Sequence, residues 1–424
     1  MADSLISYRA RVGVLLLIAA YSLFLPKVEA GGVWIGLDDF VALIYGGYFF
    51  TTRLSAARLL RTDLPVLPLV AFVLVYVVVG AFQAHAFLGA LQLPTELWQF
   101  LKRALVFCLA AELFFRANYA DRIFLLRILL SSAFAYLLFG VAQYFFGGPL
   151  IELYARTEDQ QRLAQNVIAK RLFGVAGHSN AWGGVCFVVF MLIVTIGQIR
   201  GVIEGSLLRI VVIGSGFFLL LFNATFSGSR SALFAGFAGL VSYAILKAIS
   251  GGVTTLVKVV LSAFGLLLLL FVVMFLWSDQ VEFILFRFED LQDKAGGGRV
   301  GQIERGMWLV NGVLPALIGV SNVVQRTFGV SHGIEVEPVN LFVNYGLLGV
   351  LFIYSSYFLV AISLFRLRGP SNYGLFAGVT GAIIFAVFFS LGFFVFQELI
   401  VGIYLWLFMG AIYGYCYKVS KESG

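Results

Sequence analysis

This chain is poor in charge, cysteine, histidine and proline, and each shortage narrows what it can be. Only 12% of its 424 residues are charged, against 61% hydrophobic, and the mean hydropathy is +0.97. A soluble domain carries roughly twice that share of charge, so a water-soluble enzyme is excluded. Cys108, Cys186 and Cys416 lie far apart in apolar segments, which leaves no disulfide framework and no Cys/His zinc spacing. No Asp-x-Asp pair occurs, so the usual carboxylate grip on a metal-diphosphate is missing. Asp290 and Asp293, with Glu289 beside them, read as a solvated patch. Neither a metal nor a cofactor is expected. The net charge of +7 is spread over short segments between apolar runs. That pattern argues against nucleic acid as a partner and for anchoring to an anionic lipid bilayer.

What the chain has in abundance is apolar runs. They fall near residues 12–26, 34–51, 64–83, 95–115, 124–146, 182–199, 207–226, 231–248, 256–277, 341–365, 374–392 and 394–416. Spans of about 20 apolar residues are the unit of a helical membrane domain. The expectation is an all-α, polytopic integral membrane protein of about 12 transmembrane helices, a single domain over residues 1–424. The N-terminal run reads as a retained span, not a cleaved signal. The fourth run contains Lys102, Arg103 and Glu112. Each charge near a span centre costs about 2.5–3.5 kcal/mol on insertion scales, so these three are expected to face protein.

Basic residues alternate along the chain: Arg9/Arg11, Arg53/Arg58/Arg61, Arg116/Arg122, Arg200/Arg209, Lys247, Arg366/Arg368 and Lys418/Lys421. The positive-inside rule makes these segments cytoplasmic. Both termini are then inside, and the loops 147–181 and 278–340 and the turn 225–230 are outside. The long outer loop, between the ninth and tenth runs, is unusual in being basic itself, with Arg287, Lys294, Arg299, Arg305 and Arg326. Cations on the side where they are normally depleted suggest that an anion is handled there, and a lipid-linked diphosphate fits best.

The candidate residues follow from that anion. Arg230 sits in the turn Thr225-Phe-Ser-Gly-Ser-Arg-Ser-Ala232 between two spans. Its planar fork matches phosphate oxygens bidentately, while the small neighbours admit a bulky head group. The alternative is an arginine snorkelling to lipid phosphates. From Arg299 to Leu317, the apolar residues Val300, Ile303, Met307, Val310 and Leu314 recur at helical spacing. Arg299, Gln302 and Arg305 share one sector of that expected helix, beside Trp308, which could stack on a sugar. A solvated polar face is the plainer reading. Arg287 either joins the diphosphate site or pairs with Glu289 or Asp290. His332, Glu335 and Glu337, just before the tenth span, could accept a proton from an acceptor hydroxyl. In Arg171–Gly184, His178 and Asn180 come to the membrane surface as glycan-binding candidates, with helix capping by Ser179 or Asn180 as the alternative.

Taken in order, these pieces resemble the bacterial O-antigen polymerase/O-antigen ligase superfamily. The resemblance runs through Leu37-Asp38-Asp39, Gly140-x-x-Gln143-Tyr144-Phe145-x-Gly147, Arg171…Phe173-Gly174…His178-x-Asn180 and Ser229-Arg230-Ser231-Ala232. It continues through Gly298-Arg299…Trp308, Gly319, Gly329 and Asn340…Tyr345-Gly346-x-x-Gly349. It implies a GT-C-like fold in the bacterial inner membrane with a long, partly helical periplasmic loop. It also implies a metal-independent, inverting glycosyltransferase fed by an undecaprenyl-diphosphate-linked glycan on the periplasmic face. Arg230 and Arg299 match the family's diphosphate arginines, and Asn340 falls at its acceptor-side motif. Ligases of this family carry a His-Asn pair where this chain has Val339-Asn340. That departure favours a polymerase of O-antigen or exopolysaccharide repeat units, with a glycan acceptor and a chain-length regulator as partner. The alternatives are a ligase acting on a lipid A-core acceptor in lipopolysaccharide biosynthesis and, more remotely, a membrane transporter.

Overall fold

The computed structural model describes residues 16, 19–21, 24–30, 33–54, 63–89, 96–155, 158–165, 171–249, 282, 299–321, 334–369, 372–395 and 400–423. Apart from one short antiparallel hairpin, β1 (Val28–Ala30) with β2 (Val33–Ile35), the regular structure there is helical. The helices are α1 (Leu37–Phe49), α2 (Leu67–Leu88), α3 (Leu97–Arg116), α4 (Tyr119–Phe146), α5 (Gly148–Tyr154), α6 (Glu158–Gln165) and α7 (Ser179–Ile196). They continue with α8 (Ser206–Ser227), α9 (Arg230–Ile249), α10 (Arg299–Leu309), α11 (Val313–Ile318), α12 (Glu337–Arg366), α13 (Tyr373–Ser390) and α14 (Val401–Ser423).

Seven of the described helices are long and apolar enough to cross a membrane: α2 with the turn before it, α4, α7, α8, α9, α12 and α13. They coincide with seven of the twelve expected spans. Most of the first expected span and all of the ninth lie outside the described residues. The other three differ for physical reasons. The second becomes α1, only 13 residues long and ending in a π-helical turn. The fourth, α3, carries Lys102, Arg103 and Glu112. The twelfth, α14, is rich in tyrosine and shifted towards the C-terminus.

The two helices with the wrong composition for lipid pack on each other. A Cβ on Gly410 would lie 2.4 Å from the Phe107 carbonyl oxygen, and one on Gly414 would lie 2.2 Å from that of Ala111. Small residues four apart allow backbones to approach this closely in apolar surroundings. Lys102 and Arg103 are fully buried and Glu112 nearly so, as expected of charges that cannot face lipid. Lys102 Nζ donates to Asp38 Oδ2 and to Asp39 Oδ1, both at 2.7 Å. Lys27 reaches Asp38 at 3.1 Å, and Trp98 Nε1 and the Gly36 amide bind Asp39 at 2.8 Å each. Burial, with Lys102 close by, pushes the Lys27 ammonium below the ordinary lysine range against the pull of the aspartates. Two cations and two anions thus tie the hairpin and α1 to α3.

α7 is the central helix, almost wholly buried, whereas α8 and α9 leave much of their length exposed. Trp182 on α7 donates to Asn223 on α8 at 3.0 Å, and Asn223 donates on to Leu137 O of α4 at 2.9 Å. Gly140 is required where these three meet, since a Cβ there would overlap Asn223.

α12 breaks at Gly346, where φ is +62° and ψ is −170°. Three carbonyls just before the break find donors outside the helix. Val320 N and Ser321 N donate to Val343 O and Asn344 O at 2.8 and 3.0 Å, and the Tyr76 hydroxyl donates to Tyr345 O. Irregular backbone in an apolar region is tolerated when it is satisfied by protein in this way.

Candidate functional site

Four stretches of polar chain meet at one end of the bundle around the loop Leu391–Val395. The first is 171–178, entering α7. Gln143, the fourth residue of the Gly140 motif, accepts from the amides of Phe173 and Gly174 at 3.2 and 2.8 Å and fastens this stretch to α4. Arg171 Nε donates to Ser227 O at 3.3 Å, and its Nη2 reaches Asn180 Oδ1 at 3.5 Å. His178 is itself the N-cap of α7, its Nδ1 accepting from Asn180 N at 3.2 Å. That corrects the expectation of a Ser179 or Asn180 cap. The His178 ring also stacks on Phe393 of the loop, with centroids 4.9 Å apart and planes 17° from parallel.

The second stretch is the turn between α8 and α9. Gly228, at φ +60°, ends α8. Ser229 Oγ accepts from Ala232 N at 3.3 Å and Ser227 Oγ from Ser229 N at 3.3 Å, so these hydroxyls secure the turn instead of facing a ligand. Arg230 is half-buried in the first turn of α9. Its neighbour Ser231 lies against the loop, because a Cβ on Gly392 would sit 2.2 Å from Ser231 Oγ.

The third stretch is α10. Arg299 Nη2 donates to Gly392 O at 2.9 Å and pairs with Glu335 at 3.3 Å, while its Nε is buried with no hydrogen-bond acceptor. The expected helix from Arg299 to Leu317 is two helices, interrupted at Gly312 (φ +107°). Its inward face matches the expected one only at Ile303 and Val310. Gly306 is buried against Ile334 and Val343, and Ile303, Leu309 and Val310 join that small core, whereas Val300, Met307 and Leu314 are exposed. Arg305 follows the exposed side and donates Nε to Gly301 O of its own helix at 3.0 Å. Trp308 is 74% exposed and does not join the site. The expected sector therefore splits, with Arg299 and Gln302 turned inward and Arg305 and Trp308 outward.

The fourth stretch leads into α12. The Glu335 amide donates to Gln302 Oε1 at 3.1 Å, and the Glu335 carboxylate stays partly exposed beside Arg299. Glu337 is fully buried and accepts from Val395 N at 2.8 Å, so it anchors the loop and is not presented to an acceptor hydroxyl. Asn340, also buried, donates to Ile334 O at 3.2 Å and accepts from Asn344, which makes it part of the α12 framework. Arg287 and His332 lie outside the described residues.

The site thus joins Arg299 and His178 directly to the loop, with Glu335 at its rim, and brings the segments that carry Arg171 and Arg230 beside it. The expected runs 374–392 and 394–416 put a break at residue 393, inside this loop, but gave the loop no part in a site, because Ser390-Leu-Gly-Phe-Phe-Val395 carries no charged residue. Sequence reasoning placed Arg171 in a motif without giving it a role, and the arginine's spacing from Asn180 was the signal available. Among the described residues no three His, Cys, Asp or Glu side chains come together as a metal site. No protein-family model matches the chain, and a search of curated proteins finds no relative.

Proposed function

We propose that this protein is an inverting membrane glycosyltransferase that uses an undecaprenyl-diphosphate-linked oligosaccharide as donor and polymerises O-antigen or exopolysaccharide repeat units. On this reading the chain crosses the inner membrane twelve times with both termini in the cytoplasm, and the 391–395 loop end faces the periplasm. The observation that carries the reading is that Arg299 binds the loop at Gly392 O while the segments bearing Arg171 and Arg230 adjoin the same loop, through His178 stacked on Phe393 and Ser231 against Gly392. Fixed guanidinium groups at a poorly hydrated surface stabilise a developing phosphate charge much as a metal would. A lipid-borne diphosphate is the anion that reaches such a place from the bilayer.

The chemistry asked of these residues is displacement at the anomeric carbon. An acceptor sugar hydroxyl forms the new C–O bond on the face opposite the departing phosphate oxygen. The old C–O bond breaks and its electron pair leaves with undecaprenyl diphosphate. The arginines hold that leaving group, and the acceptor proton passes to Glu335 or His332. Because diphosphate is already a good leaving group, alignment of the two sugars contributes more than the base does.

The test is transfer by purified protein in nanodiscs, given a defined undecaprenyl-diphosphate-linked repeat unit as donor and acceptor. Products longer by whole repeat units, with inverted linkage, support the reading. In a deletion strain a polymerase defect leaves single repeat units, whereas long polymer stranded on the carrier would show a ligase instead. Cysteine labelling of position 297 from the cytoplasmic side alone would overturn the proposed orientation.

A further inference from the structure

The helices α10 and α11 are too short to cross a membrane, yet their outer side is largely apolar. Val313 is 86% and Leu314 65% exposed, Leu317 is exposed one turn further on, and Met307 and Trp308 lie on the outward side of α10. An exposed apolar patch marks a surface of contact, and its place in the fold says with what. Gln83 of α2 donates Nε2 to Ile318 O and Gly319 O at 3.1 and 2.6 Å, which ties the end of α11 to α2. On the other flank a Cβ on Gly346 would lie 2.3 Å from the Leu317 carbonyl carbon, so α11 ends against the break in α12. Phe82, next to Gln83, and Leu347, next to Gly346, are exposed apolar residues. The outer side of α11 thus continues the exposed apolar surface of two helices long enough to cross a membrane.

Two measures set the height of this segment. The apolar span that contains α2 runs Leu64–Ala86, so Gln83 stands in its last turn. α12 has 30 residues, more than the about 20 that cross a hydrocarbon core of about 30 Å. Counting back about 20 residues from its cationic end at Arg366 reaches the break at Gly346. Both measures put the end of α11 at the edge of the acyl layer. We propose that α10 and α11 form an interfacial anchor, with Val313, Leu314 and Leu317 inserted into the edge of the acyl layer of a phospholipid bilayer and Arg305 and Trp308 at its headgroups. Composition is graded in that direction. α11 exposes only aliphatic side chains, whereas α10 exposes Glu304 and Arg305 beside Met307 and Trp308. An indole with its N–H and an arginine with its apolar stem both favour the headgroup level. The anchor does not depend on the diphosphate reading. It fixes the height at which Arg299, the first residue of α10, meets Gly392.

Nitroxide labels at Val313→Cys, Leu314→Cys and Trp308→Cys read the contact directly, in full-length protein in nanodiscs of phosphatidylethanolamine and phosphatidylglycerol. The native cysteines are buried, and unsubstituted protein given the same reagent supplies the background. Collision with oxygen, which concentrates in the acyl layer, is compared with collision with a nickel chelate, which stays in water. Val78→Cys, on the exposed side of α2 near its middle, and Glu158→Cys, exposed on α6, bracket the scale. Positions 313 and 314 are expected to favour oxygen, with a ratio nearer to that of position 78, and position 308 to fall between them and position 158. Nickel access equal to that of position 158 at any of the three overturns the proposal, since the patch then faces water. Access by neither collider overturns it as well, because protein then covers the patch.

Discussion

Replacing Lys102 with Met should destabilise the protein by about 3–5 kcal/mol, the usual cost of breaking a buried ion pair from one side. Lys102 is fully buried and bonded to Asp38 and Asp39 at 2.7 Å each. Around it the ledger of charge is closed, with Lys27 and Lys102 against the two aspartates. Methionine leaves that group with an excess negative charge. Asp38 retains Lys27, but Asp39 keeps only the neutral donors Trp98 Nε1 and Gly36 N. The double variant Lys102→Met/Asp39→Asn removes one charge of each sign and restores the balance. It should recover at least about 1.5 kcal/mol of the loss, because neighbours in one network are strongly non-additive. The assay is reversible unfolding in mixed micelles, followed by tryptophan fluorescence, with both single variants and the double. A Lys102→Met protein within about 1 kcal/mol of wild type, or a double variant no better than the single, would refute the argument that these charges form one compensated cluster.

Three further outcomes are expected. Arg230→Lys and Arg299→Lys keep the charge but lose the planar fork, and each should lower glycan transfer about ten-fold or more at normal protein level; near-normal transfer in both alanine variants would remove these residues from the site. Gly346→Ala should cost about 3 kcal/mol or more and sharply reduce the monodisperse fraction on size-exclusion chromatography, since its Cβ would lie 2.3 Å from the Leu317 carbonyl carbon at a φ of +62°. Gly47→Ala, with nothing within 4 Å of the new atom, is the control that should change little. Transfer should also run at an unchanged rate in excess EDTA, and rescue by magnesium after its loss would direct attention to Asp290 and Asp293.

Properties that depend on neighbours in sequence were readable before the fold was known. The long apolar helices, the sharp turn before Arg230 and the inward burial of Lys102, Arg103 and Glu112 all follow from local composition against the cost of charge in lipid. Properties that depend on pairing over long separations were not. Nothing within α3 says that Lys102 will meet Asp38 and Asp39 more than sixty residues earlier. Likewise, the glycines of α14 do not name the carbonyls of Phe107 and Ala111 as their neighbours. The break between the runs 374–392 and 394–416 was readable, but the role of the loop 391–395 was hidden for a different reason, because its residues are as apolar as the helices beside it. Hydropathy measures partition into lipid and says little about where an apolar backbone stops being helical. In α10 the apolar spacing gave a helix correctly but only part of its inward face, since Ile303 packs inward as expected while close packing takes Gly306 in place of the larger Val300 and Met307.

Glu335 and Glu337 show how far the same chemistry can diverge over two residues. The sequence offers both as carboxylates beside a histidine, with nothing to rank them. Between them the chain turns into α12, with Val336 as its N-cap and Pro338 in the first turn. That turn carries Glu337 inward, where its carboxylate holds the Val395 amide and so ties down the loop that Arg299 and His178 also touch. Glu335 stays at the rim, more than a third exposed and paired with Arg299. A buried carboxylate bonded to backbone cannot exchange partners without losing the loop, because leaving the Val395 amide unpaired carries a desolvation cost of about 1–3 kcal/mol. A rim carboxylate in a partly solvated ion pair can exchange at little cost. Of the two, only Glu335 is therefore free to give up its arginine to an incoming diphosphate and turn to an acceptor hydroxyl. On the proposed reading, that makes it the described carboxylate suited to receive the proton.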